Sequence, residues 1–279
     1  MPIYDLSYRA YRGTFSSHRW RWATIAKAGL AYYLTRKLYL AFLFIGLIHP
    51  IARGVYIWIA HSNPEVELIK IDSEFFRGFI LVQGFFLMMA CIWPGALLIA
   101  RDLKTNAIQL YLSKPLSRLD YVVGKLAVVA AIGGILITAP ALILFLMELG
   151  LSTTSVFIST YWWLPLAIIG YSAVVILAAG LTVLAASSLS RSGAYAGLLF
   201  FGLIFFSQVA AGLLVLITRN EAFGVVSLPD LARQISTMFF GGALEFGLHP
   251  IASFLVYATV VAVSMFILRR RVKAVEIVT

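Results

Sequence analysis

Three stretches follow one another without a gap: "GFFLMMACIWPGALLIA" (84–100), "RDLKTNAIQLYLSKPLSRLDYVVGK" (101–125) and "LAVVAAIGGILITAPALILFLM" (126–147). The outer two are apolar, and the first (taken back to residue 76) and the second both extend past the ~18 residues that mark a membrane-crossing helix. The middle one carries five Lys or Arg residues: Arg101, Lys104, Lys114, Arg118 and Lys125. A basic stretch between two spans must return to a polar layer, so it reads as a surface loop joining antiparallel helices.

The same alternation runs through the chain. Of its 279 residues, 61% are hydrophobic and only 12% are charged, about half the charged fraction of a soluble domain. Six apolar runs stand out, at 38–60, 76–100, 121–147, 163–186, 194–217 and 251–269. At 1.5 Å per residue each is long enough for a ~30 Å hydrocarbon core, the last only just. The expected fold is an all-α polytopic membrane protein of six transmembrane helices. Residues 1–37 are expected to form an arm with an interfacial helix, and 38–279 a single six-helix membrane domain.

An even number of spans puts both termini on one side. Seventeen Lys and Arg residues fall on that side, against four (Lys70, Arg77, Arg219, Arg233) on the other, with Arg53 inside a span. The bias places the termini and the 101–120 loop in the cytoplasm, in a plasma or inner membrane. The net charge of +10 is explained by this rim and needs no nucleic acid. Residues 1–37 lack the short apolar core and small-residue cleavage site of a secretory signal, so the first span is expected to insert and stay.

"SSHRWRWATIAKAGLAYYLTRK" (16–37) precedes the first span. Ser16 or Ser17 can cap a helix there. Trp20, Trp22, Tyr32 and Tyr33 suit the headgroup layer, and the cations suit anionic lipid. The segment reads either as an interfacial elbow helix or as a basic anchoring arm. On the opposite face, residues 218–250 contain a helical stretch from about Pro229, with Ser227 as its cap and Gly241–Gly242 as its break.

Enzymatic signatures are missing. The chain has no phosphate loop, no H-E-x-x-H and no G-x-S-x-G elbow. His18, His49, His61 and His249 lack ligand spacing. A single cysteine, Cys91, allows neither an internal disulfide nor a cysteine metal site. No span carries the acidic ladder of a proton or sodium relay. The chain is expected to bind no cofactor.

The loop reads as a short helix from Asp102 to Ser113, with Asp102 at its positive end. Leu103, Ala107, Leu110 and Tyr111 lie on one stripe, with Ile108 at its edge. Pro115 ends the helix, and Ser117 with Asp120 forms a capping-box variant that starts the third span. Physics alone leaves open an ordinary interfacial loop.

Its sequence resembles the signature loop of the ABC type 2 transporter permeases, through Asp102, Ala107, Leu110, Leu112, Ser113, Pro115, Ser117, Arg118, Gly124 and Lys125. Asn106 stands where that family commonly has glycine. The whole plan is similar too, and is closest to the stand-alone permeases that serve nitrous oxide reductase maturation. The resemblance implies that Asp102, Leu103, Ala107, Ile108, Leu110, Tyr111, Pro115 and Arg118 dock a separate ABC ATPase, on which ATP and Mg would be held. It also implies a second permease subunit, identical or different. The importer-type loop is not seen, which favours export. A non-transporting membrane scaffold and a secondary carrier remain as alternatives.

Inside the spans, Arg53 either snorkels to an outer acid or lines a path. Gln83 and Gln208 need interhelical partners or face a pore. Pro50 and Pro140 are expected to kink their spans. Gly193 and Gly197 form G-x-x-x-G, a close-approach motif that the resemblance turns into a dimer contact.

Overall fold

The computed structural model describes residues 20–62, 70–112, 116–152, 154–242 and 250–272. The arm before residue 20 with its caps at Ser16 or Ser17, the corner Ser113–Lys114–Pro115, residues 243–249 and the tail from 273 lie outside the described residues.

Every element among them is helical, as hydrocarbon demands of a chain that must satisfy its own backbone. Six are long and apolar enough to cross a membrane: Lys37–Ser62, Ser73–Lys104, Arg118–Leu151, Val156–Leu189, Gly193–Thr218 and Ile251–Arg271. All six expected spans are found, most of them a few residues longer than their apolar runs, because a helix continues into its polar flanks.

In chain order, α1 (Arg21–Leu34) precedes the first span, α2 (Lys37–Ser62). The second span comprises α3 (Ser73–Ala90), a π-helical segment Cys91–Gly95 and α4 (Leu97–Lys104). A short helix, α5 (Ala107–Leu112), lies in the loop. The third span comprises α6 (Arg118–Gly133), a second π-helical segment Gly134–Thr138 and α7 (Ala139–Leu151). The fourth is α8 (Thr154–Tyr161) and α9 (Leu164–Leu189), and the fifth is α10 (Gly193–Thr218). A 3₁₀ turn, Glu221–Val226, leads to α11 (Leu228–Phe240) and then the sixth span, α12 (Pro250–Arg271).

Local chemistry sets several boundaries. Asp72 accepts from the Phe75 amide at 3.1 Å and starts the second span. Ser117 and Asp120 make the expected capping box, with Asp120 N–H donating to Ser117 Oγ and Ser117 N–H to Asp120 Oδ2, each 3.0 Å. Ser227 accepts from the Asp230 amide at 3.2 Å and starts α11. Gly241 and Gly242 end it at φ 78° and 128°, values that only glycine adopts cheaply. Span one runs through Pro50 as one helix. Span three is interrupted just before Pro140, where a proline's missing N–H weakens the ladder.

The fourth span is central. In its apolar window 61% of residues are buried, against 17% in span one and 11% in span five. Its inner half runs Ala178, Ala179, Gly180, Ala185, Ala186, Ser187 and Ser188, small residues that let neighbours approach. Phe76, Phe79, Ile80, Leu87, Leu136 and Ile137 from neighbouring spans join its own Leu164 and Ile168 in the core.

The G-x-x-x-G pair faces span two. A Cβ on Gly197 would lie 2.5 Å from the Ile92 carbonyl oxygen, and one on Gly193 would overlap the Leu97 side chain. The close helix approach is made within the chain: span five sits on the broken part of span two. Gly197→Ala should therefore lower the thermal stability of the detergent-solubilised chain by about 1–3 kcal/mol, because the obstacle is backbone and cannot rotate away. A melting curve like that of the unaltered chain would contradict this packing.

Candidate functional site: the loop between spans two and three

Span two breaks two turns before the loop. Pro94 has no N–H to give, and the ladder shifts to an i−5 bond from Ala96 N–H to the Cys91 carbonyl, 2.8 Å. Two distant side chains absorb the polar groups this frees. Tyr33 Oη on α1 donates to the Pro94 carbonyl at 2.7 Å. Burial pushes this phenol's pKa up, so it stays a neutral donor. Ser187 Oγ on α9 donates to the Ala96 carbonyl at 2.6 Å and accepts from the Ile99 and Ala100 amides at 3.0 and 2.9 Å. One serine thus caps α4 from another span.

Asp102 does not head the loop helix. It lies in the last turn of α4 and is 8% exposed. Its Oδ2 takes Lys125 Nζ at 2.6 Å and Tyr121 Oη at 2.7 Å. Both partners come from the first two turns of α6, one turn apart, so they share a face. The dipole reading fails because a buried ammonium outweighs the ~0.5 charge of a helix end. Lys125 is itself only 7% exposed and also rests near the rings of Tyr111 and Tyr121, at 5.7 and 5.5 Å. The two ends of the loop are therefore joined by one buried ion pair under an aromatic cover.

The loop helix is shorter than expected. α4 stops at Lys104, and Asn106 takes φ 54° before α5 starts. Asparagine is, after glycine, among the residues that best tolerate this left-handed conformation. The resemblance puts glycine here, and the backbone shows why. On α5, Ile108 is 6% exposed and anchors inward, and Tyr111 packs its ring 5.5 Å from Tyr121. Leu110 points out, 70% exposed. Leu103 and Ala107 are half-buried, and Arg118 is exposed at the start of α6. The single stripe expected for Leu103, Ala107, Leu110 and Tyr111 is split by the break at Asn106. Pro115 falls outside the described residues.

The Gly124–Lys125 pair also acquires a reason. A Cβ on Gly124 would lie 2.7 Å from Ile25 Cβ and 2.8 Å from the Trp22 carbonyl. Gly124 admits α1, and Lys125 reaches Asp102.

A sequence profile of the ABC-2 family transporter proteins matches residues 24–267. The chain belongs to the ABC-2 transporter family. It is a multi-pass membrane permease of an ABC transporter, a non-catalytic membrane component, and the family implies a nucleotide-binding partner. The match is to the ABC-2 family at large and does not reach the narrower likeness to nitrous oxide reductase maturation permeases. No curated protein matches the chain significantly.

The other expected site residues of this ABC-2 permease lie apart from the loop. Arg53 stacks on Phe75, Cζ to centroid 4.7 Å, and its Nε meets His49 Nε2 at 3.4 Å. His49 stacks on Phe79 at 5.2 Å. Gln83, one turn further along α3 and fully buried, donates to the Gly46 and Leu136 carbonyls at 3.1 and 2.5 Å. The His49 and Gln83 side chains face each other, and among the described residues neither Gln83 Oε1 nor His49 Nδ1 makes a further hydrogen bond. Gln208 does not join them. Its Nε2 donates to Asp230 Oδ2 at 3.3 Å, and its Oε1 accepts from Ser227 Oγ at 2.9 Å. It ties span five to the start of α11 and remains exposed.

Sequence reasoning missed Tyr121, Ser187 and Tyr33. Tyr121 carried a signal: with Lys125 it presents a donor pair at i,i+4 opposite the sole acid in the preceding turn. Ser187 and Tyr33 carried none, since their partners lie 61 to 91 residues away.

Asp102→Asn or Lys125→Met alone should cost about 3–5 kcal/mol, since each leaves a buried charge unmatched, and the double variant Asp102→Asn/Lys125→Met should recover part of the loss. Additive losses in a thermal double-mutant cycle would show that the pair does not act as a unit. Asn106→Gly should be nearly neutral, and Asn106→Val should cost about 1–2 kcal/mol through the left-handed backbone, measurable in the same assay.

Proposed function

We propose that this permease is the membrane half of an ABC exporter and receives its work from a separate ATPase through α5. The ATPase subunits would hold ATP and Mg, and this chain would hold neither. The observation that carries the reading is the loop itself. α5 presents Leu110 outward, while Ile108 and Tyr111 root it on the Asp102–Lys125 pair. A push on α5 reaches spans two and three together, because their loop ends are one buried unit. α5 with Asp102, Leu103 and Arg118 would then act as a coupling helix, with Pro115 bracing it.

In this reading α1 is an interfacial elbow, both termini and the loop face the cytoplasm, and the chain resides in the inner membrane in contact with lipid. A second permease subunit would pack against the sparsely buried spans one and five, through outward side chains such as Tyr195, Leu198 and Phe206 and not through Gly193 and Gly197. Arg53 and Gln83, with His49 between them, would border the path. The missing importer-type loop favours export. The domain division, a short arm to residue 37 and one permease unit beyond it, fits the start of α2 at Lys37.

The decisive experiment is co-purification of the ATPase with Leu110→Asp. Association should fall by about tenfold or more, with membrane insertion and melting temperature unchanged, because that side chain points outward. Undiminished association would remove the docking role from α5. Tyr111→Asp is the informative contrast. It should also lower stability, since Tyr111 lies inside, against Tyr121.

A further inference from the structure

Arg36 and Arg101 converge on one tyrosine. Arg36 Cζ lies 5.0 Å and Arg101 Cζ 4.4 Å from the centroid of the Tyr32 ring. The two guanidinium carbons are therefore at most about 9 Å apart, a gap that the oxygens of one phosphate group can bridge. Both side chains are exposed.

No carboxylate in the described chain answers them. The acids described at this end of the bundle are Asp102 and Asp120. Asp102, next to Arg101 in sequence, is turned inward and held by Lys125 and Tyr121. Asp120 is held by Ser117 in the capping box. Two bidentate donors thus share one tyrosine ring, with no anion from the described residues between them. Like charges this close repel, and an outside anion would relieve them.

Their position selects the kind of anion. Arg36 sits at the joint between α1 and span one, and Arg101 in the last turn of span two. Both mark the level where spans leave the hydrocarbon. From Tyr32 a row of rings descends beside span one: Tyr32–Tyr33, Tyr33–Tyr39 and Tyr39–Trp93, with centroids 5.3, 4.9 and 4.8 Å apart. Leu30, Leu34, Phe42 and Leu43 pack along this row and leave only a small apolar crevice. Leu34 and Trp93 remain 43% and 41% exposed beside it. A cationic rim above an apolar, aromatic wall is the chemistry of an anionic phospholipid, with phosphate on the arginines and acyl chain along the exposed outer wall. A soluble phosphate would use only the rim.

We propose that Arg36, Arg101 and Tyr32 form a specific binding site for the phosphate of an anionic phospholipid. The bound lipid clips the α1–α2 joint to the end of α4. It thereby braces the segment from which the loop hangs. The proposal needs the membrane-spanning fold and is independent of how the ATPase docks.

The test titrates the purified full chain, in mild detergent, with phosphatidylglycerol, phosphatidylcholine or inorganic phosphate. Melting temperature and lipid adducts by native mass spectrometry are followed. Phosphatidylglycerol should bind about tenfold more tightly than phosphatidylcholine and raise the melting temperature. Arg36→Gln/Arg101→Gln should abolish that preference. Lys27→Gln/Lys104→Gln removes the same charge from the same end and should keep it. Should the glutamine pair fail to fold, Arg36→Lys/Arg101→Lys retains the charge without the fork and should weaken the preference severalfold.

Equal effects of both lipids, or loss of the preference in the two lysine-to-glutamine positions as well, would overturn the site. A full effect from inorganic phosphate would assign the arginines to a soluble anion instead. Unchanged lipid binding with lost ATPase association in the arginine variants would assign them to the partner protein.

Discussion

A buried ion pair, Lys125 Nζ to Asp102 Oδ2 at 2.6 Å, is the constraint on which this structure turns. Two charges taken out of water are costly unless their geometry and remaining hydrogen bonds are good. Here Tyr121 supplies the further donor, and the rings of Tyr111 and Tyr121 shield the ammonium. The pair joins the last turn of span two to the second turn of span three. It therefore decides where the intervening loop can go. With both ends fixed, α5 cannot drift over the surface, and Asn106 must take the left-handed turn that fits the remaining length.

The pair does not stand alone. α4 is only eight residues long, too short to be stable as a free helix. It persists because its N-terminal amides are capped by Ser187 and its far end is held by Lys125 and Tyr121. The break above it, at Cys91–Gly95, is in turn tolerated because Tyr33 and Ser187 take up carbonyls there. Four elements thus converge on one short helix: α1, span four, span three and, through Gly193 and Gly197, span five. Such a node is local in space and scattered in sequence.

That scatter explains what could be read from the sequence. The six spans were legible because hydrocarbon imposes length and apolarity on each span by itself. The capping box at Ser117 and Asp120, the cap at Ser227 and the break at Gly241–Gly242 were legible because each is a contact within a few residues. Asp102 was misread for the same reason. A rule about the nearest helix end assigned it, whereas its partners stand 19 and 23 positions further on. Gln208 and the glycine pair follow suit: the need for a partner was plain, but which segment supplies it depends on packing. Pro94 carried the one local warning of the span-two break, and it was overshadowed by Pro50 and Pro140.

The broken span bears on how motion could pass through the molecule. A continuous helix of the length of Ser73–Lys104 would carry a push from its loop end straight to the far side. The π-helical turn interrupts it. α4 can then tilt about Cys91–Gly95 while α3 stays packed by Phe76, Phe79 and Ile80. Tilting α4 strains the Ser187 bonds and the Tyr33 bond first, so displacement is handed sideways to span four and to α1. Span three has its own π-helical turn, at Gly134–Thr138, where Gln83 of α3 bonds the Leu136 carbonyl. The two joined spans are therefore each interrupted within the bundle, and the interruption of span three is tied to α3 through Gln83. Gln83 and, through His49, Arg53 lie beside this second interruption. A pull on the loop would thus reach the cluster of polar side chains, Arg53, His49 and Gln83, that spans one and two share among the described residues.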